Sequence, residues 1–308
     1  GVVDYEPTEL VVTACCGTSL LELEQTLAAQ HQMLAFEPPH FGPSATVGGM
    51  MAAGLSGPRR ASAGALRDFV LGAVLLDGRG ELLHFGGQVM KNVAGYDVSR
   101  LLAGSLGSLG LILQASFKVL PQAAQCISCV FEIDQISALE RLNQWGGQPL
   151  PISASAWQGD RLVLRLEGAA AGLTSARSKL GGELLPQAEA NQFWSDLREQ
   201  RLPFFDTDQA IWRLSLPSTA PPVALAGAEL LEWGGAQRWL LPALGVTAAQ
   251  IRQRAQTLGG HATLWRADDK SAGVFQPLAP ALQAIHQRLK QNFDPDAIFN
   301  PGRMYLDL

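Results

Sequence analysis

Residues 46–57 read TVGGMMAAGLSG, and residues 104–110 read GSLGSLG. Stretches with so little side-chain bulk bring main chain close to main chain. They also offer successive backbone N–H groups to an extended ligand carrying anionic or carbonyl oxygens. A lone Gly-Gly pair is ordinarily a packing turn. Here two runs flank one expected strand pair, and the chain's 32 glycines concentrate between Gly42 and Gly110. That pattern points to a nucleotide-type cofactor. The common phosphate motifs are missing: no G-x-G-x-x-G follows a strand and no G-x-x-x-x-G-K-[ST] occurs, which disfavours Rossmann and P-loop sites. Neither a G-x-S-x-G elbow nor an H-E-x-x-H helix is present.

At 308 residues the chain predicts two domains, taking roughly 150 residues for each. β-Branched residues at 10–15 predict a strand, and Thr18 an N-cap for a helix over 19–29. FEPPHFGP at 36–43 is irregular, because prolines and glycine interrupt it. Strands at 69–76 and 81–85 make a hairpin over Asp77-Gly78. A short helix starts at Ser99, and a strand over 111–119 ends at Pro121. Beyond it, strand 126–133, helix 137–145, hairpin 152–157/162–166 and helix 174–180 give a β-α-β-β-α order, half of a ferredoxin-like sandwich. Strands follow at 211–216, 228–233, 237–241 and 261–265, with helices at 247–258 and 278–292. No internal repeat is evident.

The balance of 23 Lys and Arg against 28 Asp and Glu leaves a net charge of −5, and this argues against a nucleic-acid footprint. No apolar run approaches the ~18 residues of a membrane span. A cytoplasmic protein, or one peripheral to the inner membrane through a partner, is expected. Four cysteines are too few for a disulfide scaffold. On a strand, Cys126 and Cys129 point to opposite faces, and Cys15-Cys16 have the same problem, so all four read as structural thiols and no metal site is expected.

FEPPHFGPSATVGGMMAAGLSG at 36–57, followed by Gly64, Arg67-Asp68, Val70-Leu71-Gly72 and Asp77-Gly78, resembles the FAD-binding domain of vanillyl-alcohol-oxidase type flavoproteins. KNVAGYDVSRLLAGSLGSLGLI at 91–112 matches the family's second element, and FDPDAIFNPGR at 293–303 its C-terminal flavin-proximal signature. With GPRR at 57–60 and GGHAT at 259–263, the whole chain is similar to the FAD-binding subunits of bacterial glycolate oxidases. The resemblance implies an α+β fold: an FAD-binding domain over 1–121, an antiparallel sheet-and-helix cap over 122–285, and a tail over 286–308 returning to the first domain. It implies FAD contacts by Thr46, Val47, Gly48 and Gly49, with Ala52, Gly54, Ser56 and Gly57 along the flavin. Gly104, Gly107, Gly110 and Ile112 would lie on the adenine and ribitol side, and Asn300 near the isoalloxazine. Pro39, Ser44 and Gly64 complete the implied set. The family's pyrophosphate loop lies upstream of the first residue here, so an N-terminal subdomain is expected to be missing and the N-terminus cut short.

Oxidation of a 2-hydroxy acid needs a hydride path, a base for the hydroxyl proton and a cation for the carboxylate. Related dehydrogenases carry G-H-x-G-D-G-N-x-H and E-H-G-I-G elements. Here Gly260-His261 continues Ala-Thr-Leu-Trp, and residues 271–274 hold no Glu-His, which puts direct substrate oxidation in doubt. Among the five histidines, His261 and His40 are the catalytic candidates. His31, His84 and His286 read as ordinary packing or surface residues. Lys91 and Arg59-Arg60 are either carboxylate anchors or solvated charges, the Arg pair reading as solvated. Trp194, Trp212, Trp233, Trp239 and Trp265 read as core or as subunit interface. The resemblance implies partners: a second FAD-containing catalytic subunit and an iron–sulfur subunit, with electrons leaving towards quinone. Two alternatives stand beside this reading. One is a non-catalytic assembly subunit with a degenerate site, the other a stand-alone D-lactate or sugar-lactone oxidase. All of it requires the runs at 46–57 and 104–110 to converge.

Overall fold

The computed structural model describes residues 1–87 and 97–308. Lys91 and the Gly95-Tyr96 pair of the second expected element lie outside the described residues. Contacts divide the chain into two compact units: Gly1–Gly57, Ala63–Gln122 and Pro277–Leu308 form the first, Pro58–Ser62 and Ala123–Gln276 the second.

Up to residue 122 the elements are β1 (Val2–Glu6), β2 (Val11–Cys15), α1 (Leu20–Ala28), β3 (Gln32–Met33), α2 (Val47–Ala53), α3 (Arg60–Ala63), β4 (Val70–Leu76), β5 (Leu82–Gly86), α4 (Val98–Leu101), β6 (Leu111–Lys118) and β7 (Leu120–Pro121). A five-stranded antiparallel sheet in the order β1-β2-β6-β4-β5 carries the first unit. Its core joins Val12, Ala14, Leu75 and Phe117 from the sheet to Leu20, Leu23 and Leu27 of α1 and to Val47 and Met51 of α2. Thr18 does not cap α1. It is buried, and its hydroxyl donates to the Gly1 carbonyl at 3.0 Å. Ser19 is the N-cap, and the Leu20 amide is satisfied by the Ala45 carbonyl instead.

The second unit runs β8 (Gln125–Glu132), α5 (Gln135–Gly146), β9 (Ile152–Gln158), β10 (Arg161–Gly168), α6 (Ala170–Leu180), β11 (Glu183–Leu185), α7 (Gln187–Arg198), β12 (Ile211–Ser215), β13 (Gly227–Glu232), β14 (Gln237–Pro242), α8 (Ala248–Thr257) and β15 (His261–Arg266). Its eight-stranded sheet has the order β11-β8-β10-β9-β13-β14-β12-β15. The first six elements make a whole β-α-β-β-α-β module, its strands arranged fourth-first-third-second. The remaining strands repeat that arrangement, with a proline-rich connection over 217–226 where the first module has α5. β9 and β13 join the modules, placing Leu231 opposite Trp157. The sheet thus holds two sandwich modules rather than half of one. The repeat is one of topology, which residue similarity did not announce.

On one face of this sheet α5 and α6 pack on Leu162, Leu164 and Leu166, while α8 packs on Trp212, Leu214 and Leu264. α7, unexpected from the sequence, covers part of the other face with Trp194 and Leu197 against Ala156, Val163 and Trp239. The last helix is α9 (Pro280–Phe293), followed by an irregular stretch over 294–308; it lies wholly in the first unit, so residues 285 and 286 share one helix. Among the described residues no helix is long and apolar enough to cross a membrane.

Candidate functional site

In the first unit, the small-residue run at 46–57 is largely helix α2. Thr46, in extended conformation, caps it by accepting from the Gly49 amide at 3.1 Å, and Gly54 closes it in the left-handed region at φ 64°. Small residues hide helical periodicity, but Thr and Gly at the two ends are the helix signals. The amides of Val47 and Gly48 donate to the Thr18 and Cys16 carbonyls at 2.9 and 2.8 Å. They are therefore spent inside the protein rather than turned to a ligand. Gly48 is required there, since a Cβ would lie 2.8 Å from that of Cys16.

The second run meets the first directly. Gly104 N donates to Met51 O at 3.0 Å and Leu106 N to Ala52 O at 2.9 Å. A Cβ on Gly54 would lie 2.7 Å from the Gly104 backbone. The two runs therefore share one side-chain-poor surface, on which Ser44 and Gly49 are exposed and Ala52, Ser56, Gly104 and Gly107 half-buried. Asn300 joins its rim, with Nδ2 donating to Leu106 O at 2.7 Å beside Gly107. Other expected cofactor residues have packing roles. Val47 and Ile112 lie in the core, Gly57 N donates to Phe36 O, and Gly110 lies 2.6 Å from Leu76 O measured at an added Cβ. Ser56 Oγ accepts from Leu66 N, and Gly64 packs by the Asp68 carboxylate. Pro39 is half-buried.

A buried ion pair, absent from the sequence reading, fixes the tail. Lys290 Nζ reaches Asp294 Oδ2 at 2.6 Å, Ser108 O at 2.8 Å and Phe299 O at 2.6 Å. Burial alone would raise the Asp294 carboxyl. The Lys290 ammonium and the amides of Phe299 and Ile298 outweigh it and hold the group below its ordinary value. Gly78 admits Asp294, whose carboxylate would collide with any Cβ there. Thus the hairpin glycine, the second run and the C-terminal signature meet at Lys290–Asp294. The i,i+4 spacing before an Asp-Pro helix end was the available signal.

His40 Nε2 lies 3.1 Å from Glu24 Oε2 of α1, which ties its ring to that helix. His31 and His84 are exposed, and His286 packs edge-on to Tyr305.

In the second unit, β12 and β15 pair so that Arg213 faces Thr263 and Ser215 faces His261. Burial and the Arg213 guanidinium push His261 below the ordinary imidazole value, which keeps it neutral at pH 7. Arg59 is not solvated: it forks onto Glu167, with Nη2 2.7 Å from Oε1. Arg60 stacks on Trp233 at 4.4 Å. Trp194, Trp212 and Trp239 are core, while Trp265 carries Arg213 on its face. Cys129 is buried among the α5 and α6 contacts. Cys126 lies near Glu167 and Arg59, its thiol pushed up by burial to about 11, and Cys16 likewise to about 12. Among the described residues no three His, Cys, Asp or Glu gather to hold a metal ion.

Comparison with known proteins adds to this geometry. A family profile described as an FAD binding domain matches residues 1–86. The chain is 49% identical over 308 residues to glycolate oxidase subunit GlcE of Escherichia coli (strain K12), covering 100% of this chain and 85% of that protein. It is 41% identical over 112 residues to a D-lactate dehydrogenase of Archaeoglobus fulgidus, covering 35% of this chain and 25% of that one. Glycolate oxidase subunit GlcD of Bacillus subtilis (strain 168) is 32% identical over 112 residues, 36% of this chain and 24% of that protein. Among solved structures, an alkyldihydroxyacetonephosphate synthase matches with a TM-score of 0.67 at 14% identity, covering 98% of this chain and 66% of that chain. This last likeness is one of fold.

Proposed function

The chain belongs to the family of glycolate oxidase subunit GlcE, and on that premise we propose that it is the FAD-binding subunit of a glycolate oxidase complex. In this role it oxidises glycolate to glyoxylate or relays the electrons of that oxidation. The observation that carries the reading is the meeting of the two side-chain-poor runs through Gly104 N–Met51 O and Leu106 N–Ala52 O. The residues present fit FAD. Gly49 is exposed, a Cβ at Gly104 would meet nothing closer than 4.0 Å, and the Asn300 amide stands at the rim. A planar ring system can rest on such backbone without side chains in the way.

Ser44, Thr46, Gly49, Ala52, Gly54 and Ser56 from the first run, and Gly104, Gly107 and Asn300 from the second side, would hold the cofactor. When bound, FAD supplies the two-electron acceptor for the substrate's α-hydrogen. We assign His261 to the hydroxyl proton: its neutral imidazole has an unprotonated ring nitrogen at pH 7 that can accept it. His40, tied to Glu24, positions the stretch at 36–43. The partners are a second FAD-containing catalytic subunit and an iron–sulfur subunit, and the complex works in the cytoplasm or against the inner membrane.

The test is the absorbance spectrum of the purified full chain with and without added FAD, then mixing with glycolate. Flavin bands that bleach in the isolated chain support oxidation, and bleaching only in the assembled complex supports electron relay. Absence of flavin bands at saturating FAD overturns the reading in favour of an assembly subunit.

A further inference from the structure

The sheet face opposite α8 carries a cation that the fold itself does not neutralise. Arg213 sits on β12, flanked by Trp239 on β14 and Thr263 on β15, its register partners on that face. Its guanidinium lies 4.7 Å over the Trp265 ring. Among the described residues it makes no hydrogen bond and no ion pair. The acid that acts on it is Glu232, but Oε1 of that carboxylate already accepts from Gln237 Nε2 at 2.9 Å and Trp239 Nε1 at 2.6 Å. A second cation, Arg60, acts on it from the Trp233 side. Burial and Arg60 together push Arg213 down to about 10, with Glu232 opposing them.

Desolvating a guanidinium beside another cation is costly unless something compensates. Arg238 in the same sheet illustrates the structural solution: fully buried, it donates to the carbonyls of Gly235, Pro221 and Ala220. Arg213 has no such set of acceptors, yet it keeps part of its surface accessible. A planar fork pre-oriented on an aromatic ring and left open on one side is suited to a carboxylate taken bidentately. Thr263 stands directly across from it. Two residues along the same strand, on the same face, is neutral His261.

We propose that Arg213 is the carboxylate-binding residue for a small 2-hydroxy acid, held beside His261 on this sheet face. The proposal rests on the 2-hydroxy-acid reading for the identity of the ligand, but the binding it describes requires no electron transfer. Arg213 orients the acid by its carboxylate, Thr263 lines the place where the acid sits, and the hydroxyl is left towards His261.

Calorimetric titration of the FAD-saturated full chain with glycolate, ethylene glycol and inorganic phosphate tests it, alongside Arg213→Gln, Arg213→Lys and Thr263→Val. Glycolate is expected to bind the wild type and ethylene glycol not to. Affinity should fall more than thirtyfold in Arg213→Gln and about tenfold in Arg213→Lys, with flavin content and melting temperature unchanged. A smaller loss is expected in Thr263→Val, which keeps the folded sheet even should Arg213→Gln disturb it. Wild-type affinity in a folded Arg213→Gln chain overturns the proposal, as does a wild type that takes phosphate but not glycolate. Glycolate binding that depends on Arg213 without any flavin bleaching would leave the proposal standing while overturning oxidation by this chain.

Discussion

The two units solve the same problem, the burial of an antiparallel sheet, with opposite materials. In the first, the distinctive surface is main chain: glycine, alanine and serine let α2 and residues 104–110 approach until their backbones bond. In the second, the distinctive groups are side chains: Arg213 and Arg238 are half-buried and buried charges placed by strand register, and Glu167 of β10 takes Arg59. The lesson is that backbone packed on backbone tolerates no added atom at the contact, as at Gly48 and Gly54, whereas a side-chain-built surface tolerates backbone change but not loss of a partner. The exception inside the first unit is Lys290–Asp294, a side-chain hub holding a backbone site together.

Breaking that hub should have the largest effect. Lys290→Met leaves Asp294 buried without its cation and should cost about 3–5 kcal/mol. Hydrogen exchange read peptide by peptide should place the loss in the first unit, and equal loss in both units would contradict the contrast. Next comes a matched pair of glycines. Gly54 (φ 64°) faces the Gly104 backbone, while Gly234 (φ 66°) has open space where a Cβ would go. Gly54→Ala should cost about 2–4 kcal/mol and abolish flavin absorbance, and Gly234→Ala about 1–2 kcal/mol of strain alone. Equal costs in urea unfolding would show that conformation, not close approach, governs the first site.

Acid should separate the units more gently. His261 is depressed in the fold, so the unfolded chain binds the proton more readily, and stability of the second unit should fall as pH drops below the ordinary 6.5. Asp294 is also depressed, so its contribution is present above 3.8 and is lost only as pH falls through its lower folded value. Melting temperature against pH, with His261→Gln removing the first phase, checks the order. The smallest effect is chemical: at pH 8 exposed Cys15 should alkylate before Cys16 and Cys126, whose thiols are raised by burial. Faster labelling of Cys126 would mean that its strand face is open.

Much of the scaffold was legible. β2, β4, β6, the β9–β10 hairpin and α5 follow from β-branched runs, turn residues and helical spacing. α2 was not, because its small residues leave no amphipathic stripe. α7 was overlooked although Ala190, Trp194 and Leu197 keep helical spacing through a polar sequence. Of the site, the convergence of the two runs was readable from composition. The Lys290–Asp294 pair left its i,i+4 spacing in the sequence, but its bond to Ser108 O and the setting of Arg213 were not readable, since both depend on groups far apart in the chain.

By itself the sequence determined where main chain had to come close, because only glycine permits that approach and its positions are written in the residues. It also determined the α+β mix, through alternation and helical spacing. Tertiary structure alone decided which amides were already used, which arginines found acceptors and which did not, and that the second sheet is a doubled module. Those outcomes depend on strand register and desolvation, which belong to no single stretch of chain.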